Sequence, residues 1–109
     1  MQLRIRTKGL EVDPETRQGV ARNLRLRLGR HANRIAVAHV TLSPSPPIYG
    51  EKARRCEIRL HMHKGEGFTL EDHGRDVRTA TVRAAQRLDQ RLNRERIQNG
   101  FRPGGTPDA

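Results

Sequence analysis

The chain of 109 residues contains no tryptophan, and aromatic residues make up only 3% of it. That scarcity argues against the exposed rings on which the common single-strand RNA-binding surfaces stack bases. No Asp or Glu occurs between Thr16 and Gly50. No apolar run approaches the ~20 residues that a membrane-spanning helix needs, and although a basic chain can also meet an anionic membrane surface, no membrane partner is expected. The single cysteine, Cys56, excludes an intramolecular disulfide and fits a reducing cytoplasm. An alternating strand pattern begins at once, so neither a signal nor a transit peptide is expected. There is no phosphate loop, no plausible nucleophile–base pair and no His-centred motif. The chain therefore reads as a non-enzyme without cofactor or small-molecule substrate.

What is abundant is arginine. Lys and Arg number 22 against 12 Asp and Glu, a net charge of +10. The acid-free stretch alone holds Arg17, Arg22, Arg25, Arg27, Arg30 and Arg34. Solvated surfaces usually interleave both signs, and a one-sided surface repels itself until a polyanion neutralises it. Nucleic acid is the expected partner. With 33% apolar residues the core must come mainly from Leu, Ile, Val and Ala, enough for one small domain.

Gln2 to Thr7 alternates, with Leu3 and Ile5 on one face and Arg4 and Arg6 on the other, as a half-buried strand does. Val12-Asp13-Pro14-Glu15 opens a helix running to about Arg30: Asp13 caps, Pro14 suits the first turn and Glu15 faces the positive dipole end. Arg17, Val20, Ala21, Leu24, Leu28 and His31 share its apolar side; Leu26 does not. A second strand is expected from Arg34 to Ser43, apolar on both faces, stopped by Ser43-Pro44-Ser45-Pro46-Pro47. Lys52 to Lys64 alternates again, with Cys56, Ile58, Leu60 and Met62 opposite Arg55, Glu57, Arg59, His61 and His63. Gly65-Glu66-Gly67 turns into a short strand, Phe68 to Glu71. A second helix runs from its cap Asp76 to about Gln98 with Val77, Thr81, Ala84, Leu88 and Leu92 as its stripe. The acids Glu11, Asp13 and Glu15, then Glu71, Asp72 and Asp76, are read as marking helix starts. Domain 1–99 and a disordered tail 100–109 complete the expectation.

The order β-α-β-β-β-α implies an α+β fold. Its four-stranded mixed sheet carries both helices, roughly parallel, on one face, a two-layer sandwich like that of double-stranded-RNA-binding domains. A crossover makes the first two strands parallel. The second helix sets Arg78, Arg83, Arg87, Arg91, Arg94 and Arg96 against only Asp89 and Glu95. With Arg22, Arg25, Arg27 and Arg30 on the first helix, the outer faces of the two helices should form one basic patch ~25 Å long. Such a patch suits phosphate and shape reading of folded RNA. A metal site built from His61, His63, His73 and Cys56 is not expected, because Cys56 points away from His61 and His63 and no further spaced ligand pair appears.

Several segments, in this order, resemble a known family. They are Met1-Gln2-Leu3-Arg4-Ile5, Leu10-Glu11-Val12-Asp13-Pro14, and Arg17 with Val20 and Leu24. His39-Val40-Thr41-Leu42-Ser43, Asp76 with Ala80, and Arg87-Leu88-Asp89-Gln90-Arg91-Leu92-Asn93-Arg94 follow. The chain resembles, over roughly residues 1–98, the ribosome hibernation-promoting factor / ribosome-associated inhibitor A (HPF/RaiA) family in its short form, also called sigma-54 modulation proteins. The resemblance implies a cytoplasmic translation inhibitor that binds 16S ribosomal RNA of the 30S subunit between head and body. There it would block the tRNA and mRNA sites and silence ribosomes under stress. It implies phosphate contacts by Arg22, Arg25, Arg87, Arg91 and Arg94; Arg30 and Arg83 are added from charge geometry. Arg78 stands where the family often has an aromatic residue. The chain's stop at Ala109 implies that it lacks the ribosome-pairing domain of long members. The alternative is a general structured-RNA module for duplex RNA or tRNA with the same topology.

Overall fold

The computed structural model describes residues 1–99, so the expected tail lies outside the described residues. Its elements are β1 (Gln2–Thr7), α1 (Pro14–Leu28), β2 (Ile35–Pro44), β3 (Arg54–Met62), β4 (Phe68–Gly74) and α2 (Val77–Asn99). The sheet order is β1-β2-β3-β4, with β1 parallel to β2 and the other neighbours antiparallel. This is the expected β-α-β-β-β-α sandwich.

Capping starts both helices where the sequence says. The Asp13 carboxylate accepts from the Thr16 amide at 2.7 Å, and Asp76 accepts from Thr79 at 2.7 Å. These bonds hold both carboxyls below their ordinary pKa. Leu28 is the last α-helical residue of α1, two short of the expected end, because Gly29–His31 tighten into a 3-10 turn closed by Ala32 N–H to the Gly29 carbonyl.

One face of each helix and one face of the sheet make the core. Val20, Leu24 and Leu28 of α1 and Ala80, Ala84, Ala85, Leu88 and Leu92 of α2 pack on Ala38, Val40 and Leu42 of β2 and Cys56, Ile58 and Leu60 of β3. Leu26, off the stripe, is 78% exposed. Arg17 does not join the core: it is exposed, and its guanidinium donates to the Ile5 carbonyl of β1. Long arginines at a stripe's edge reach out in this way.

β2 is shifted by one residue from the expected Arg34–Ser43, and β3 and β4 differ more. β3 spans Arg54–Met62 instead of Lys52–Lys64, because Ala53 N–H turns back to the Gly50 carbonyl at one end and Gly65, with φ of +83°, begins the turn at the other. β4 runs on to Gly74, past the expected Glu71, as Glu71, Asp72 and His73 pair with Glu57, Cys56 and Arg55. Glu71 and Asp72 are thus strand residues and do not mark a helix start. Their alternation puts Glu71 beside Arg55 and Asp72 toward α2. Gly74 is buried where β4 meets α2: a Cβ there would lie 2.6 Å from the Ala80 nitrogen.

Cys56 sits in the middle of this core, and burial pushes its thiol up to about 11. A small thiol reagent at pH 8 is expected to leave the native protein unlabelled and to modify one site per chain after unfolding. Mass spectrometry with and without guanidinium reads this directly.

Candidate nucleic-acid interface

At 100° per residue, Val77, Ala84, Leu88 and Leu92 turn to the sheet, which puts Arg83, Arg87, Arg91 and Arg94 on one flank of α2. The contacts identify that flank as the one beside β4. Arg83 Nη1 donates to the His73 carbonyl at 3.0 Å, and Arg87 Nη1 donates to the Glu71 carbonyl at 2.9 Å. Arg87 also lies 3.6 Å from the Asp72 carboxylate. The Arg91 guanidinium stands 3.9 Å over the Phe68 ring centre while its Nε bonds Glu95 at 3.3 Å. Arg83, Arg87 and Arg94 are exposed; Arg91 is half-buried. Four arginines therefore run along one edge: Arg83 is held by a backbone carbonyl, while Arg87 and Arg91 also lie beside the carboxylates of Asp72 and Glu95.

The first helix places its arginines differently. The flank of α1 that faces α2 is marked by Gly19, near the Arg78 guanidinium, and by Arg30, which meets Asp89. Arg25 stands on the opposite flank and Arg22 near the outer crest, beside Gln18, Ala21 and Leu26. The single patch expected across both helices is resolved into two rows, separated by the width of a helix pair whose axes lie ~10 Å apart. Arg30 joins neither row. Its guanidinium makes a forked bond to both Asp89 oxygens, at 3.0 and 3.1 Å, and the fully buried His31 donates Nε2 to the same carboxylate at 2.8 Å. Burial on its own would raise the Asp89 pKa, but the bonds from His31 and Arg30 prevail and lower it.

The helix-free face of the sheet also carries charge, and here the sequence reading fell short. At the β2–β4 end the charges pair among themselves. Arg55 bridges Glu57 at 3.0 Å and Glu71 at 2.5 Å, which holds Glu71 below its ordinary pKa. His73 bonds Ser45 and Glu71 and is covered by the Tyr49 ring, stacked at 3.8 Å. At the β1–β3 end, Arg4, His39 and Arg59 stand in register across three strands. Arg6 joins them, bonded to Thr41 at 3.2 Å, and the rings of His39 and His61 meet edge to face at 5.2 Å. The alternation of β1 and β3 was readable; the register that unites their basic faces was not.

Residues 3–98 match the family described as sigma 54 modulation protein / S30EA ribosomal protein. The chain belongs to this family. Sigma 54 modulation proteins are ribosome-associated modulation and hibernation factors, not known as an enzyme family. Solved structures similar to the chain include the following two. One is the N-terminal domain of Protein Y from Thermus thermophilus, 28% identical, with a TM-score of 0.71 over 88% of this chain and 100% of that one. The other, a ribosomal subunit interface protein from Coxiella burnetii, has a TM-score of 0.75 over 89% of this chain and 99% of that one. At 12% identity the second likeness concerns the fold alone. Among curated proteins no sequence matches.

The described residues gather no group of three or more His, Cys, Asp or Glu that would hold a metal ion. None of their helices is long and apolar enough to cross a membrane.

Proposed function

We propose that this sigma 54 modulation protein binds 16S ribosomal RNA of the 30S subunit near the tRNA and mRNA sites and silences idle ribosomes in the cytoplasm under stress. The observation that carries this reading is the row Arg83, Arg87, Arg91 and Arg94 along α2, in a chain whose family is ribosome-associated. Three of these side chains are steadied by β4, through the His73 and Glu71 carbonyls and the Phe68 ring. A guanidinium held in place loses less freedom when it meets phosphate, and its planar fork suits two phosphate oxygens. Arg22 and Arg25 supply phosphate contacts on the far flank of α1, so the helical layer meets RNA along two rows. Arg30 is tied to Asp89, so its charge is largely spent inside the domain.

Co-sedimentation with purified 30S subunits tests the reading. Binding is expected at low salt and to weaken steeply and linearly on a log–log plot as KCl rises, because each neutralised phosphate releases counterions. In vitro translation should fall over the same range of protein concentration. Binding that ignores salt, or equally tight binding to a free RNA duplex, would overturn it in favour of a protein contact or a general RNA module.

A further inference from the structure

The open face of the sheet has no assigned role in the reading above, yet it is as one-sided as the helices. Arg4, Arg6, Arg59, His39 and His61 converge at its β1–β3 end. Strands ~4.8 Å apart, rising ~3.3 Å per residue, set the three arginines within a patch of about 10 by 7 Å. Arg4, Arg6 and Arg59 are exposed. The bonds seen for Arg4 and Arg6 go to neutral groups, Gln2 Oε1 at 3.0 Å and Thr41 Oγ1 at 3.2 Å. Glu57, the carboxylate that borders this end among the described residues, is already bonded by Arg55 at 3.0 Å. The local field is visible in His39. Its pKa is lowered first by burial and then by the positive charge of His61, Arg4, Arg59 and Arg6.

We propose that this face grips the phosphates of a second RNA segment, so that RNA contacts the domain on both of its layers. The inference rests on the ribosome reading and extends it from one surface to two. Three observations favour RNA over an acidic protein segment. The patch is made of guanidinium and imidazole donors, and the exposed large apolar side chains among the described residues, Leu26, Ile48 and Tyr49, lie elsewhere than on β1, β2 or β3, whereas a protein hot spot would supply such an anchor. The acids Glu57 and Glu71 are paired with Arg55 and His73, and among the described residues no carboxylate pairs with Arg4, Arg6 or Arg59. The opposite layer carries the same preference for a polyanion. Because α1 and α2 cover the other side of the sheet, one continuous RNA surface cannot reach both patches without wrapping an edge. The second segment must be a separate wall of a cleft or a neighbouring strand.

The test compares three full-length variants for binding to 30S subunits across a KCl series. Arg4→Glu with Arg59→Glu reverses the sheet face. Arg83→Glu with Arg87→Glu reverses the helical row. Lys52→Glu with Arg75→Glu, at exposed positions between the two layers, makes the same change in net charge. The sheet-face variant is expected to bind at least tenfold more weakly at ~0.1 M salt and to flatten the log–log salt slope by about 1.5, two phosphate contacts' worth. The control is expected to change affinity less than threefold. Wild-type affinity and slope in the sheet-face variant, with loss in the helical one, would overturn this proposal and leave the ribosome reading standing. Equal losses in the sheet-face variant and the control would overturn it as an unspecific charge effect. Weaker binding with an unchanged slope would assign the face to a ribosomal protein instead. If wild-type protein fails to bind at all, the ribosome reading itself falls. Should the double reversal not fold, as judged by circular dichroism, Arg4→Gln with Arg59→Gln carries the same test, with a slope change of similar size.

Discussion

Replacing Arg83, Arg87 and Arg94 by Glu is expected to abolish association with the small subunit, weakening it at least a hundredfold at ~0.1 M salt. The three positions are exposed along the β4 flank of α2, so the substitution swaps three positive charges for three negative ones along a single edge. If each arginine neutralises one phosphate, the log–log salt slope should flatten by about 2 or more. Arg91 is left in place deliberately. Its guanidinium covers Phe68 at 3.9 Å and bonds Glu95, so reversing it would disturb packing as well as charge. Arg87→Glu also brings a carboxylate toward Asp72, which Arg87 now approaches at 3.6 Å. The matching Gln triple variant separates the two effects. It should melt within about 3 °C of wild type and still lose most of its ribosome binding, since exposed ion pairs contribute at most ~1 kcal/mol. A Gln variant that binds like wild type would remove α2 from the interface.

Asp89→Ala is expected to be the most damaging single polar substitution, costing about 2 kcal/mol and lowering the melting temperature by on the order of 10 °C. Asp89 joins the end of α1 to the middle of α2 by accepting from His31 and Arg30 on one carboxylate. His31 is fully buried, and its Nδ1 already lacks a partner. Deleting Asp89 would leave both ring nitrogens unsatisfied inside the core. Arg30→Ala removes only the exposed half of the arrangement and should cost under ~1 kcal/mol. The pH dependence follows from the lowered Asp89 pKa. A carboxylate with a depressed folded pKa contributes its stability above the unfolded value, about 3.9, and loses it as pH falls through the folded one. The gap between wild type and Asp89→Ala should therefore be full at neutral pH and close below about pH 4. Chemical denaturation at pH 7 and pH 3 measures both points. A constant gap would mean that the protonated Asp89 supports His31 as well as the carboxylate does; no gap at either pH would mean that His31 is held by packing alone.

Local signals account for what was legible. Asp13 and Asp76 cap in the structure because a short carboxylate next to free amides has few better options. The stripes Val20-Leu24-Leu28 and Ala84-Leu88-Leu92 are buried because period 3.6 leaves one face to meet a sheet. Local signals also misled where a residue type serves two purposes. Glu71 and Asp72 look like helix-start acids, yet their partners are Arg55 and Arg87, distant in sequence. Arg17 sits at stripe spacing, yet its side chain is long enough to reach the Ile5 carbonyl instead of the core.

Element order and the buried stripes follow from neighbours within a turn or two, and the mixed sheet from the crossover between β1 and β2. How the arginines are shared out depends instead on packing between elements distant in the chain. The helix-to-sheet packing turned the α2 row toward β4 and left Arg22 and Arg25 across the helical layer. The contact between the end of α1 and α2 consumed Arg30 on Asp89. The register of β1, β2 and β3 gathered Arg4, His39 and Arg59, which lie far apart in the chain, into a second basic face. Charge is additive along a sequence, but a binding surface depends on which charges become neighbours, and strand register and helix rotation set that.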